Sequence, residues 1–224
     1  LVKTCLRHGV FETPIWRGLT AFDQWRREKK PARAPLLFKG ADSGCPYDCG
    51  LCPDHRQRSC TVIIEVTQRC DLSCPVCYAG APSKVPDPSA AAISQLFCRA
   101  AKAGPGSNIQ LSGGEPTLRD DLPDIVAMGR DAGFDFIQIN TNGLRLGRDP
   151  SFVKALKQAG LASVFMQFDG IGDDVHRRLR GRDLKAAKCA AIETCGQHGI
   201  GVVLVPTLIP GVNTHCIGDI LDAA

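Results

Sequence analysis

At 224 residues the chain can bury one large core with room for a small appended module, and its ordinary apolar content marks it as globular rather than disordered. No run approaches the roughly eighteen apolar residues of a membrane span, no apolar leader with a cleavage site opens the chain, and a net charge of +4 is too mild to call for nucleic acid. A cytoplasmic location is expected, and the twelve cysteines become the anomaly, seven of them falling between Cys45 and Cys77.

Residues 1–60 hold no long periodic stretch. A short helix is expected in "TAFDQWRREKK", opened by Thr20, and the basic run from Arg26 to Pro35 reads as a solvated helix end and linker. The remainder is rich in Pro, Gly and Cys and reads as a loop-rich auxiliary module held together by metal. The domain boundary is placed at 60/61, with residues 61–224 forming the main domain.

From Thr61 the pattern changes. "TVIIEVT" (61–67) is a strand of β-branched residues. A helix follows, with Ser89 as N-cap, Gly104 as stop and an apolar stripe at Ile93, Leu96, Phe97, Ala100 and Ala101; Cys98 beside it reads as a small core residue. The alternation continues with a strand at 108–112, a helix at 120–133 ended by Gly133, and a strand at 134–140. A helix at 149–160 opens on Asp149 and Pro150, and a strand at 162–168 follows. A helix at 182–199, a strand at 201–207 and a helix from Thr214 close the chain.

Alternating strands and helices with short connections imply parallel βαβ units. Within the strands one phase is apolar (Ile109, Leu111, Ile137, Ile139, Val164, Met166, Phe168). The other turns polar toward the C-terminal ends: Glu65 and Thr67, Gln110 and Ser112, Gln138 and Asn140, Gln167 and Asp169. A doubly wound sheet would want both faces apolar, so an inward polar ring favours a barrel or partial barrel with its ligand at the C-terminal mouth. The expected fold is α/β, a partial (β/α)6 TIM-like barrel with about five βα units, continuing in the natural protein beyond Ala224.

Cys70, Cys74 and Cys77 lie directly after the first barrel strand, where a barrel puts its chemistry, and they lack a fourth cysteine nearby. Three thiolates on one loop can hold a metal or cluster with one open position, as catalytic sites do. "SGGEP" (Ser112, Gly113, Gly114, Glu115, Pro116) follows the second strand and faces the same mouth. The earlier triplet, Cys45, Cys49 and Cys52, has the same gaps and Cys60 beyond it. Four thiolates close a site, so this one fits a fully ligated cluster or a single iron or zinc ion. Disulfides are disfavoured by the length and the missing leader. His55 can replace one of these cysteines or pack in the turn, with the turn favoured, and Cys5 is left unassigned.

The CxxxCxxC loop with Tyr78 beside its last cysteine, joined to GGEP, resembles the radical S-adenosylmethionine (SAM) superfamily over residues 60–209. The common pattern has an aromatic before the third cysteine, where this chain has Val76. The resemblance implies a [4Fe–4S] cluster on Cys70, Cys74 and Cys77, with SAM on the fourth iron, its amino group met by Ser112–Glu115. It implies reductive cleavage of SAM to a 5′-deoxyadenosyl radical. It further implies ribose and substrate contacts from Asn140, Asn142, Gln167 and Asp169, and adenine contacts near Thr207. Arg180 is a candidate for the methionine carboxylate or a solvated arginine, and His176 reads as a surface residue at a helix start.

The stretch over residues 38–80 is also similar to a narrower group, the tetraether lipid synthases and dihydropterin methyltransferase-like proteins with their bacterial relatives. That similarity implies an auxiliary cluster or metal, a small-molecule or lipid substrate, and an electron donor of the flavodoxin or ferredoxin kind. Hydrogen abstraction from an unactivated carbon, for C–C bond formation or methylation, is the leading expectation. A peptide-modifying or maturation enzyme and a non-catalytic zinc-ribbon-like module are the alternatives, the last opposed by GGEP and the open triplet.

Overall fold

The structure, a computed structural model, describes residues 2–14, 17, 21, 42–43, 59–77, 79–81, 85–104 and 106–224. The helix expected from Thr20, the basic run, Cys45, Cys49, Cys52, His55 and Tyr78 lie outside the described residues. The chain divides into two compact units, Leu1–Ala32 and Arg33–Ala224. In the first, β1 (Val2–Cys5) and β2 (Gly9–Glu12) form an antiparallel hairpin in which Cys5 pairs with Gly9. The sequence showed no element there, because strands of four residues with no buried side give no alternation to read.

The second unit is built on a five-stranded parallel sheet of β3 (Thr61–Thr67), β4 (Asn108–Gly113), β5 (Ile137–Thr141), β6 (Ser163–Gln167) and β7 (Gly201–Val205). The strands lie in sequential order with no reversal, the winding of a TIM-like barrel rather than a doubly wound sheet. Between them run α1 (Ala90–Ala103), α2 (Leu122–Asp131), α3 (Leu144–Arg148), α4 (Pro150–Gln158), α5 (Asp173–Arg180) and α6 (Lys185–Gln197), with α7 (Ile217–Asp222) after β7.

The boundaries have local causes. The Ser89 hydroxyl accepts from Ala92 N at 3.2 Å and caps α1; Asp149 does the same for α4 through Phe152 N at 3.0 Å. The apolar strand phase forms the core with the helices: Ile109, Leu111, Ile137, Ile139 and Val164 have no exposed surface. On α1 the buried face is Ile93, Phe97 and Ala100, while Cys98 is exposed rather than in the core, because it lies on the far side of that stripe.

Three other expectations change. The strand expected at 134–140 begins at Ile137, because the turn at Gly133 continues through Phe134, whose N–H bonds Gly129 O and whose ring packs on Phe97 with centroids 6.0 Å apart. Helix α3 was not foreseen, and of α5 only a helix start near His176 was read. The first is five residues long, and the second, "DDVHRRLR", has only Val175 and Leu179 as apolar positions.

At the C-terminal end of β3 a register shift between Glu65 and Thr67 sets two residues against one on β4. The bulge turns the chain outward into the cysteine loop. The two motif glycines sit against this turn. A Cβ on Gly113, at φ +135°, would lie 1.9 Å from Thr67 O, and one on Gly114 would lie 2.2 Å from Arg69 O. Gly113→Ala or Gly114→Ala is therefore expected to cost on the order of 3 kcal/mol or more. Gly196→Ala, on the exposed side of α6 where a Cβ meets nothing within 4 Å, should be neutral or stabilising by up to about 1 kcal/mol. Urea titration of the three variants checks the contrast.

Candidate active site

Cys70, Cys74 and Cys77 are free thiols on the loop leaving β3. Cys70 and Cys74 are partly buried and pack, with Ala187 of α6, against Leu72, Leu144 and Leu184; Cys77 is exposed. Burial pushes the Cys70 thiol up to about 11, against the hydrogen bond it accepts from Leu72 N at 3.5 Å. Among the described residues no three His, Cys, Asp or Glu side chains stand together as ligands of one metal ion. Cys60 is exposed just before β3, and its carbonyl accepts from Asn108 N at 2.8 Å.

The neck of this loop is tied shut. Arg69 donates to Asp87 Oδ2 through Nε at 3.0 Å and Nη2 at 2.6 Å, and Thr67 Oγ1 donates to Asp87 Oδ1 at 2.5 Å. Arg119, buried, reaches Val66 O at 2.9 Å and Pro88 O at 2.8 Å while forking onto Asp121. Residues 66–69 and 87–88 are thereby held together across the loop's base.

The GGEP segment lies on this neck. Gly114 N donates to Thr67 O at 2.9 Å and Glu115 N to Arg69 O at 2.7 Å. The Glu115 side chain turns inward and is 1 % exposed. Its Oε1 accepts from Thr117 N (3.0 Å), Thr117 Oγ1 (2.6 Å) and Thr141 Oγ1 (2.7 Å), and its Oε2 from Asn142 N (2.7 Å). Burial pushes the carboxyl above its usual range, opposed by these donors. The carboxylate thus caps the turn at Pro116–Leu118 and fixes the end of β5.

Asn142 is equally committed: its Nδ2 donates to Asp71 Oδ1 at 2.7 Å, reaching the cysteine loop, and its Oδ1 accepts from Leu144 N at 2.9 Å. Arg180 is buried, not solvated. It forks onto Asp169 (Nε 2.7 Å, Nη2 2.8 Å), and donates to Thr207 Oγ1 at 3.0 Å and, through Nη1, to Val76 O at 2.8 Å. One guanidinium therefore joins the ends of β6 and β7 to the residue before Cys77. Asn213, also buried, accepts from Ile209 N and donates to the carbonyls of Asp169 and Thr207.

Ser112, Asn140 and Gln167 lie toward the mouth on the inner face. Asn140 Nδ2 donates to Ser112 Oγ at 3.2 Å, but its Oδ1 is buried without a partner among the described residues. A groove of about 620 Å³ lies elsewhere, beside β3 and α1, lined by residues that include Ser59, Ile63, Leu96 and Arg99.

His176 corrects the surface reading: it has no exposed surface, meets Phe168 edge-on at 6.2 Å, and burial, helped by the nearby Lys188 charge, lowers its pKa. Lys188 itself was missed. It has no exposed surface, and its ammonium donates to Asn142 O at 3.1 Å and to Gln167 O. The signal was present, since Lys188 lies on one helical stripe with the buried Ala191 and Cys195.

The Radical SAM superfamily model matches residues 64–224. The chain belongs to the radical SAM superfamily. A 7,8-dihydro-6-hydroxymethylpterin dimethyltransferase from Methanocaldococcus jannaschii is 39% identical over 226 residues, 99% of this chain and 44% of that protein. A probable GTP 3′,8-cyclase from Methanothermobacter thermautotrophicus is 34% identical over 161 residues, 71% of this chain and 52% of that one. The chain thus spans about half the length of these relatives. Streptococcus suis SuiB bound to the precursor peptide SuiA shares the fold, with a TM-score of 0.59 at 16% identity over 72% of this chain and 36% of that one.

Radical SAM membership implies a [4Fe–4S] cluster and S-adenosylmethionine. The residues suit both: three free thiols on one loop are the donor chemistry of such a cluster, and the orphaned Asn140 Oδ1 is an acceptor facing the sheet's inner side.

The Arg180–Asp169 pair is the joint to test. Removing the guanidinium strands a buried carboxylate, so Arg180→Met should cost about 3–5 kcal/mol, and adding Asp169→Asn should recover part of it. Thermal unfolding of the single and double variants reads this, and backbone hydrogen exchange should quicken around Val76 in both.

Proposed function

We propose that Cys70, Cys74 and Cys77 hold the [4Fe–4S] cluster and that SAM binds at the mouth of β4–β7. The natural protein would then use the resulting radical on an unactivated carbon of a small molecule, in methylation or C–C bond formation. When bound, the cluster and SAM supply one-electron cleavage of the sulfonium to methionine and a 5′-deoxyadenosyl radical. The observation that carries this reading is the free-thiol loop braced on both sides, by Asn142 on Asp71 and by Arg180 on Val76 O.

The chain's own groups divide into those that hold and those that touch. Glu115, Asn142, Asp169 and Thr207 have their side chains bonded within the protein and act as positioning residues. The Glu115 carboxylate is spoken for, so the amino group of SAM meets the backbone of residues 112–115 instead. Asn140 Oδ1 accepts from an N–H or O–H of the ligand, with Ser112 and Gln167 beside it. Arg180 has four of its five N–H groups committed, and the fifth is what it can offer the methionine carboxylate. The Pro206–Leu208 backbone is assigned to the adenine, and Tyr78, next to Cys77 in the sequence, to the cofactor site.

The substrate class follows the relatives. One is named for a dihydropterin and another for GTP, molecules that share an aminopyrimidinone ring, so a fused heterocycle of that kind is the substrate proposed. Its similarity spans nearly the whole chain, whereas the likeness to a peptide-binding enzyme is one of fold. Cys45, Cys49, Cys52 and Cys60 are assigned to a closed auxiliary cluster or a single metal ion ahead of β3. A one-electron donor of the flavodoxin or ferredoxin kind supplies the electron.

Anaerobic reconstitution tests this. Wild type should take up about eight irons, or about four plus one further metal ion, and form 5′-deoxyadenosine when reduced with SAM. Cys70→Ala, Cys74→Ala and Cys77→Ala should each abolish 5′-deoxyadenosine, whereas Cys60→Ala should lose metal yet still bind SAM. Cluster-loaded wild type that forms no 5′-deoxyadenosine would overturn the reading.

A further inference from the structure

Lys188 has a charge that its contacts do not explain. Its ammonium is fully buried, held by the carbonyls of Asn142 and Gln167 at the ends of β5 and β6. Those bonds satisfy two of its three N–H groups and put no carboxylate in contact with its charge. The buried carboxylates of the region are already engaged, Asp169 by the Arg180 fork and Glu115 by its four donors. Burial, helped by the nearby Arg180 charge, draws the ammonium's pKa down to about 8, while Asp169 and, less strongly, Glu115 and Cys74 pull it back up. A neutral amide could bridge two carbonyls at a smaller desolvation cost.

The position supplies the reason. Leu184, one turn before Lys188, and Ala187, the residue before it, pack with Leu72 and Leu144 against Cys70 and Cys74. Lys188 thus lies on the helix that packs against the cysteine loop, near enough for Cys74 to act on its ammonium. Asp71 on the same loop adds a negative charge, and three ligating thiolates would add more.

We propose that Lys188 is the buried counter-cation of the cysteine-loop cluster, stabilising its reduced state through space. This rests on the cluster assignment made above. Reduction adds one electron from the external donor and moves no proton. Lys188 keeps its three protons and forms no new bond, and its fixed positive charge favours the more negative state. One unit charge acting over roughly ten ångströms at an effective dielectric of about 20 is worth about tenfold in an equilibrium, and that sets the size of effect to look for.

The test compares reconstituted wild type, Lys188→Met and Lys188→Arg at one fixed pH, by dithionite titration followed by electron paramagnetic resonance. Lys188→Met should be about tenfold harder to reduce, a midpoint about 59 mV lower for a one-electron couple, and Lys188→Arg should stay within about twofold of wild type. Circular dichroism of the apoproteins separates the remaining outcomes. A folded Lys188→Met that cannot take up iron, while Lys188→Arg can, also supports the counter-cation. A loaded Lys188→Met with the wild-type midpoint overturns it, and so does an unfolded Lys188→Met apoprotein, which would make Lys188 a structural tie. Wild type that takes up no iron removes the cluster assignment itself, a result distinct from either.

Discussion

The buried fork between Arg180 and Asp169 is the interaction on which the mouth of the barrel depends. Asp169 lies at the end of β6 with no exposed surface, and a carboxylate there is tolerable only when paired and fully bonded. Arg180 meets that need with two parallel N–H bonds, and two further donors reach Thr207 and Val76 O. The planar guanidinium thus holds three separate segments in one geometry, which a lysine's point charge could not do. Desolvation makes such a pair a poor source of net stability, and what it provides is position.

The same logic runs around the mouth. Glu115 is internal, and every one of its donors comes from the end of β5 or from its own turn. Asn142 carries that order on to Asp71, and Lys188 links the β5 and β6 ends behind it. A loop bearing three thiols would otherwise sample many arrangements. Here its neck is clamped at Asp87, one flank is bonded to Asn142 at the end of β5 and the other to Arg180 of α5, so part of the ordering entropy is met by the protein before any ligand binds.

Much of the frame could be read from residues alone. The strand phase separated Ile109, Leu111, Ile137 and Ile139, all fully buried, from a polar face that ends at the mouth. Ser89, Asp149, Gly133 and Gly160 marked helix limits through capping and left-handed turns that few other residues make. The cysteine loop and GGEP were placed by their position after β3 and β4. What escaped had a physical reason. Helix α5 is too polar to show a stripe, yet its burial of His176 and Arg180 comes from contacts with β6 and β7, distant in sequence. Lys188 sat in plain view on an apolar face, but a lysine there reads as solvated until the neighbouring strands enclose it.

Motif residues invite the assumption that each touches a ligand, and the GGEP segment shows why that overreaches. Its two glycines are required because their backbone passes within touching distance of Thr67 and Arg69, so their missing side chains are explained by the chain's own packing. Its glutamate is consumed in fixing Thr141 and Asn142. What remains to face outward is main chain, held at a defined height above the cysteine loop by the hydrogen bonds to Thr67 O and Arg69 O. A backbone so fixed presents its polar groups without rotamer freedom to lose, which makes it a better contact for a small charged group than a flexible carboxylate would be. The motif's chemistry and its packing are therefore one constraint: the residues that cannot change are those that hold the loop and the strand end together.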